Sequence, residues 1–128
     1  MESDDFETLA SILQCATLIA SDFEAVIDRA KRHDLVFADP PYTVAHNQNG
    51  FIKYNETLFS WQDQMRLAEC LVRAKKRGVK IVATNADHPS IRSLYNGIFR
   101  IRRVERNSMI SGNPSYRKSV GELLISSH

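Results

Sequence analysis

The sequence predicts an α/β fold, a mostly parallel sheet flanked by helices with an antiparallel hairpin at its C-terminal side. Three observations carry this reading. Apolar runs such as DLVFAD (34–39) and VKIVAT (79–84) alternate with stretches of helical periodicity. DLVFAD has no polar alternation, the mark of a strand buried on both faces. The last two strand-like segments are joined by a turn-rich link with no helix, so they should pair antiparallel.

The elements follow in chain order. Residues 3–14 place Phe6, Leu9, Ala10 and Leu13 at helical spacing, which predicts a short amphipathic helix. CATLIAS (15–21) reads as a short strand. In SDFEAVIDRAKR, Ser21 with Glu24 three positions on has the capping-box pattern, and Phe23, Val26, Ile27 and Ala30 share a helical face. After DLVFAD comes a long polar stretch, 40–59, with Pro40, Pro41, Asn47, Asn49, Gly50 and Asn55. A loop of that length in a small domain is a functional candidate.

A third helix is predicted from Ser60, its cap, through Asp63 to Lys75, Lys76 and Arg77, with Gly78 as the stop. Trp61 and Met65 read as core residues of that helix. VKIVAT is the next strand. In NADHPSIRSLYNG, Asn85 should begin a turn and Asp87 should cap a short helix ending at Gly97. Segments 98–106 and 120–127 are the final strands, with the link at 107–119 between them.

At 128 residues the chain suits one domain, 1–128, with a modest core. Apolar content of 43% and charged content of 25% are those of a globular protein. No run approaches the roughly 20 apolar residues of a membrane helix. The acidic start MESDDFETL is unlike a secretory signal. Cys15 and Cys70 read as reduced core residues of an intracellular, cytoplasmic protein. The four histidines have no metal-ligand spacing, so no metal is expected. Net charge is only +2, but acids crowd the first 30 residues, and Arg100, Arg102, Arg103, Arg106, Arg117 and Lys118 crowd the end. A late basic cluster suits a phosphate backbone, and it equally suits a solvated face.

Asp39 ends a buried strand at the edge where open α/β sheets bind ligands. Pro40 and Pro41 stiffen the turn and remove two donors, leaving carbonyls such as that of Pro40 as acceptors. Tyr42 adds a flat face. Two acceptors beside an aromatic plane suit a planar ring with an exocyclic amine, as in a nucleobase drawn out of its stack. The structural alternative is a strand-ending turn in which Asp39 caps backbone amides and Tyr42 packs on the surface.

DLVFADPPY resembles motif IV of the amino-methyltransferases. SDFEAVIDRA, FIKYNETLFSWQDQMRLAECL, GVKIVATNADHPSIRSLY and RNSMISGNPSYRKSVGELLIS extend the resemblance to the Dam-type (D12 class) DNA adenine-N6 methyltransferases. It spans residues 15–126, in the order of that family's C-terminal half, with 1–14 as an added N-terminal helix. The fold it implies is a partial Rossmann-like methyltransferase fold. The resemblance implies that Asp39 and the Pro40 carbonyl accept the two protons of the adenine N6 amine, within a catalytic Asp39–Pro40–Pro41–Tyr42 motif. It implies that Tyr42 stacks on the flipped base. S-adenosylmethionine is the implied cofactor, with Asp22 and Phe23 near its adenine and Asp39 near its methyl group. DNA is the implied partner, held through Ser108, Ser111, Arg117 and Lys118 beside the last hairpin. Phe51 and Tyr54 could order over cofactor and base. Phe23 also fits a helix core face.

The family's Phe-x-Gly-x-Gly loop has no candidate here, because Gly50, Gly78, Gly97, Gly112 and Gly121 are all far apart. A segment for reading DNA sequence is also not found. A truncated catalytic domain, inactive alone, is therefore expected, completed by a second polypeptide or associating with itself. RNA guanine-amine methylation and a degenerate nucleic-acid-binding module are the alternatives. The origin expected from the resemblance is a bacterial or phage restriction-modification setting.

Overall fold

The computed structural model describes residues 5–45, 57–106 and 120–128. Helix α1 (Phe6–Gln14) is capped by Asp5, and α2 (Phe23–Ile27) by Asp22, which accepts from the Glu24 amide. Strand β1 (Leu35–Ala38) follows. The longest helix, α3 (Trp61–Lys76), starts on a true capping box. Asp63 donates its amide to Ser60 Oγ at 3.1 Å, and the Ser60 amide donates to Asp63 Oδ2 at 2.9 Å. Arg73, Lys75 and Lys76 lie in its last turn, where the helix dipole favours cations. Gly78 then reverses the chain at φ 88°, and a Cβ there would sit 2.8 Å from Arg32 Cγ. Strand β2 (Lys80–Ala86), helix α4 (Pro89–Tyr95) and strands β3 (Arg100–Arg106) and β4 (Val120–Ser126) complete the order.

The four strands form one sheet in the order β1-β2-β4-β3. β1 and β2 are parallel, with Leu35 opposite Lys80 and Ala38 opposite Ala83. β4 runs antiparallel to both β2 and β3. The α/β class and the C-terminal antiparallel pair are as the sequence predicts. One face of the sheet carries Val36, Ala38, Ile81, Ala83, Leu123 and Ile125, which pack in one core with Leu67, Leu71 and Ala74 of α3 and Ile91 and Tyr95 of α4. No helix among the described residues is long and apolar enough to cross a membrane.

Five local expectations are corrected. CATLIAS is not a strand, and Leu18 is 89% exposed. A strand needs a neighbour for its backbone groups, and this segment has none among the described residues. β1 is not buried on both faces: Leu35 and Phe37 are each 63% exposed, because among the described residues β1 pairs on one side only and the helices cover one face. The cap of α2 is Asp22 rather than Ser21, whose hydroxyl donates to the Asp22 carbonyl instead. Met65 and Cys15 are exposed; Trp61 is partly buried against the core and Cys70 is fully buried.

Candidate active site

β1 stops at Ala38, so Asp39 is the first residue past the parallel pairing. Its carboxylate is exposed, and Oδ1 accepts from the Thr84 hydroxyl of β2 at 2.5 Å. Among the described residues, Oδ2 has no donor. The two prolines that follow have no amide hydrogens. Their carbonyls have different partners. The Pro41 oxygen accepts from the Thr43 amide at 3.0 Å and from Gln64 Nε2 at 3.2 Å. No hydrogen bond among the described residues ends on the Pro40 carbonyl. Among the described residues two acceptors, Asp39 Oδ2 and the Pro40 oxygen, thus stay open at the end of β1, with half-buried Tyr42 two residues past Pro40.

Beneath this loop the polar groups are buried and paired. Gln64, in the first turns of α3, also donates to the Thr43 carbonyl at 3.0 Å, and its Oε1 accepts from Asn85 Nδ2 at 2.9 Å. Thr43 Oγ1 donates to the Phe59 carbonyl at 2.7 Å. Asn85 is therefore no turn residue. It sits in β2 with its side chain in the core, where its Oδ1 accepts from the Ala86 amide.

Beside the loop, at the free edge of β1, lies a cleft of about 520 Å³. Phe23, Val26, Ile27, Phe37 and Phe59 give it apolar and aromatic walls, and Asp39, Pro40 and Pro41 line it too. Phe23 is fixed from two sides: its ring tilts against Phe59 at 5.7 Å, and the Arg66 guanidinium lies 4.1 Å over it. Arg66 also grips Asp22 through both guanidinium nitrogens, at 2.7 and 2.9 Å, and reaches Glu24 at 3.0 Å and Asp63 at 3.1 Å. The Arg66 hydrogen bonds, then the Glu24 amide, hold the Asp22 carboxyl below the usual carboxylate range. The three acids in turn push the Arg66 guanidinium further up.

The structure thus brings Phe23, Asp39, Pro40 and Pro41 to one cleft and keeps Asp22 in an ion-pair cluster next to it. Ser108, Ser111, Arg117, Lys118, Phe51 and Tyr54 lie outside the described residues. Asp87 does not cap α4; His88 does, accepting from the Ser90 amide through its ring nitrogen. Asp87 instead pairs with Arg92 at 2.6 Å and Arg103 at 3.4 Å. Sequence reasoning missed Gln64, Arg66 and Thr84. Gln64 had a signal: it stands in the Leu67, Ala68, Leu71 stripe of α3, where a polar residue needs a reason. Arg66 and Thr84 had no signal pointing to the site, since their partners there, Asp22 and Asp39, lie 44 and 45 residues away.

A carboxylate and a free carbonyl at the C-terminal end of a parallel strand, with an apolar cleft alongside, define the ligand edge of an open α/β fold. Comparison with known proteins identifies the family. The D12 class N6 adenine-specific DNA methyltransferase family matches residues 1–110, and the chain belongs to it. Over 78 residues the chain is 41% identical to the DNA N-6-adenine-methyltransferase of Escherichia phage P1, covering 61% of this chain and 10% of that protein. It is 32% identical over 121 residues to the DNA adenine methylase of Vibrio cholerae serotype O1, covering 94% and 43%. A type II methyltransferase of Lactococcus lactis subsp. cremoris is 28% identical over 111 residues, covering 87% and 39%. The chain thus spans between a tenth and about two-fifths of the length of these relatives.

Proposed function

We propose that this chain supplies the amine-positioning half of an enzyme that methylates adenine N6 in DNA with S-adenosylmethionine. The observation that carries this is the pair of open acceptors, Asp39 Oδ2 and the Pro40 carbonyl, at the end of β1. An exocyclic amine has two protons to donate and meets two acceptors. Holding both protons in this way draws the nitrogen lone pair out of ring conjugation, toward the geometry of the transition state. Tyr42 provides the face on which the extruded base rests. Asp39 acts through its position, since the amine becomes acidic only as the new bond forms.

The cleft residues fit the adenine end of the cofactor. Phe23 and Phe59 offer rings and Val26 and Ile27 aliphatic surface, and beside the cleft Asp22 Oδ2 accepts once among the described residues, from Arg66, so it has room for a second donor. When bound, the cofactor supplies an electrophilic methyl group. The glycine loop for its other end would come from residues outside this sequence, on the same polypeptide or a second one. DNA would be held by the basic residues of the last hairpin, so its binding should weaken as salt rises.

Calorimetry with S-adenosylmethionine on this chain, followed by methyl transfer to adenine-containing DNA with a glycine-loop half supplied, tests the proposal. Transfer is expected only from the completed enzyme. Asp39→Ala should lower it at least about 100-fold, the scale of a lost transition-state contact. A completed enzyme indifferent to Asp39→Ala would sink the proposed role, and transfer that no supplied half restores would sink the activity.

A further inference from the structure

Gln64 and Asn85 are two neutral amides buried, with Thr43, against a largely apolar core. Burying amides is costly unless each polar atom is paired, and apolar residues of like size would fill the space. Here the pairing is directional. Gln64 Nε2 faces three acceptors at 3.0–3.3 Å: the Thr43 carbonyl, the Pro41 carbonyl and Asn85 Oδ1. Its Oε1 accepts one hydrogen bond from the Asn85 amide. This fixes the orientation of Gln64, since a flipped amide would set oxygen against two carbonyl oxygens. Asn85 is anchored in turn, its Oδ1 accepting from the Ala86 amide at 2.9 Å.

The loop above needs such a partner. Two successive prolines carry no amide hydrogens, so within the loop the Pro41 carbonyl finds only the Thr43 amide, and its second donor and that of the Thr43 carbonyl come from elsewhere. Gln64 supplies them from α3, and Asn85 locks Gln64 from β2. With the Pro41 carbonyl drawn inward, the Pro40 carbonyl is the one left open beside Asp39.

We infer that Gln64, braced by Asn85, is a positioning residue that sets the Asp39–Tyr42 loop and so decides which proline carbonyl faces the substrate amine. The link to the amine rests on the proposed function; the link to the loop does not. Gln64→Leu removes both donors. Gln64→Glu makes their presence depend on pH: a protonated carboxylic acid donates one hydrogen bond, whereas a carboxylate donates none, and burial raises the pH at which the proton leaves.

Hydrogen exchange on the full chain tests the loop directly, with protection corrected for the intrinsic pH dependence of exchange. In Gln64→Leu, Thr43 and Ala45 should lose about tenfold protection or more, while Leu123 and Ile125 in β4 keep theirs. In Gln64→Glu, protection at Thr43 should stay near the wild-type value at pH 5 and fall as pH rises. Equal protection at Thr43 in all three proteins overturns the inference. So does a loss that is uniform through β2 and β4, or a Gln64→Glu profile flat with pH.

In the completed enzyme, Gln64→Leu should lower kcat about tenfold or more with the KM for S-adenosylmethionine unchanged, and the Gln64→Glu defect should grow with pH. If the wild-type completed enzyme transfers no methyl group, the functional proposal fails, and the exchange result still decides whether Gln64 holds the loop.

Discussion

Tyr95 has a fully buried hydroxyl that meets no partner among the described residues, and burial pushes its phenol well above the usual range. Its ring packs edge-on to Phe99 at 5.7 Å, so the ring contributes packing and the hydroxyl only a desolvation cost. Tyr95→Phe should therefore stabilise the fold by about 1 kcal/mol, read as a higher midpoint in urea. Asp87 behaves oppositely. Its bond from Arg92, opposed by burial and helped by the charges of Arg92 and Arg103, holds its pKa below the ordinary value. A carboxyl with a lowered folded pKa contributes stability above its unfolded pKa of about 3.9 and loses it as pH falls through the lower folded value. Urea midpoints measured from pH 6 down to pH 2 should fall less steeply in Asp87→Asn than in wild type; an unchanged slope would mean the ion pair contributes nothing.

At the scale of elements, α3 organises the site. Its first turns present Gln64 to the loop and Arg66 to the Asp22–Phe23 pair, so the start of α3 sets two walls of the cleft. That start depends on the capping box. Ser60→Ala should cost about 1 kcal/mol of stability and loosen both walls together, seen as faster amide exchange at Asp63 and Gln64 than at Ala74. Ser60 was legible in the sequence as the cap because the acid it pairs with is only three residues on. The cap of α2 was misassigned because Ser21 and Asp22 are both good capping residues, and the choice fell to Arg66, whose grip fixes Asp22 from another helix.

The whole molecule has an uneven surface. Among the described residues its sheet ends at β1, which pairs with β2 alone, with Leu35 and Phe37 two-thirds exposed and the cleft beside them. α1 has no buried residue, and Phe6, Leu9, Ile12 and Leu13 are all exposed. Exposed apolar edge and helix are a liability in an isolated chain. The chain should self-associate as its concentration rises, and the double substitution Leu35→Lys with Phe37→Lys should shift it toward monomer in sedimentation velocity. A wild-type chain that stays monomeric at millimolar concentration would contradict this expectation.

The sequence by itself determined the α/β class, the start and stop of α3, the C-terminal antiparallel pair and the place of Asp39 at a strand end. These rest on local periodicity, capping chemistry and proline, all of which act over a few residues. Only the tertiary structure decided that β1 is an edge strand with one exposed face and that residues 15–21 are not a strand. Both turn on which neighbours a segment finds, and an apolar run reads the same in the middle of a sheet as at its edge. The tertiary structure also divided the roles of the two prolines. Gln64 stands 23 residues from Pro41 and 21 from Asn85, and only folding brings its amide to the Pro41 carbonyl, leaving the Pro40 carbonyl open beside Asp39.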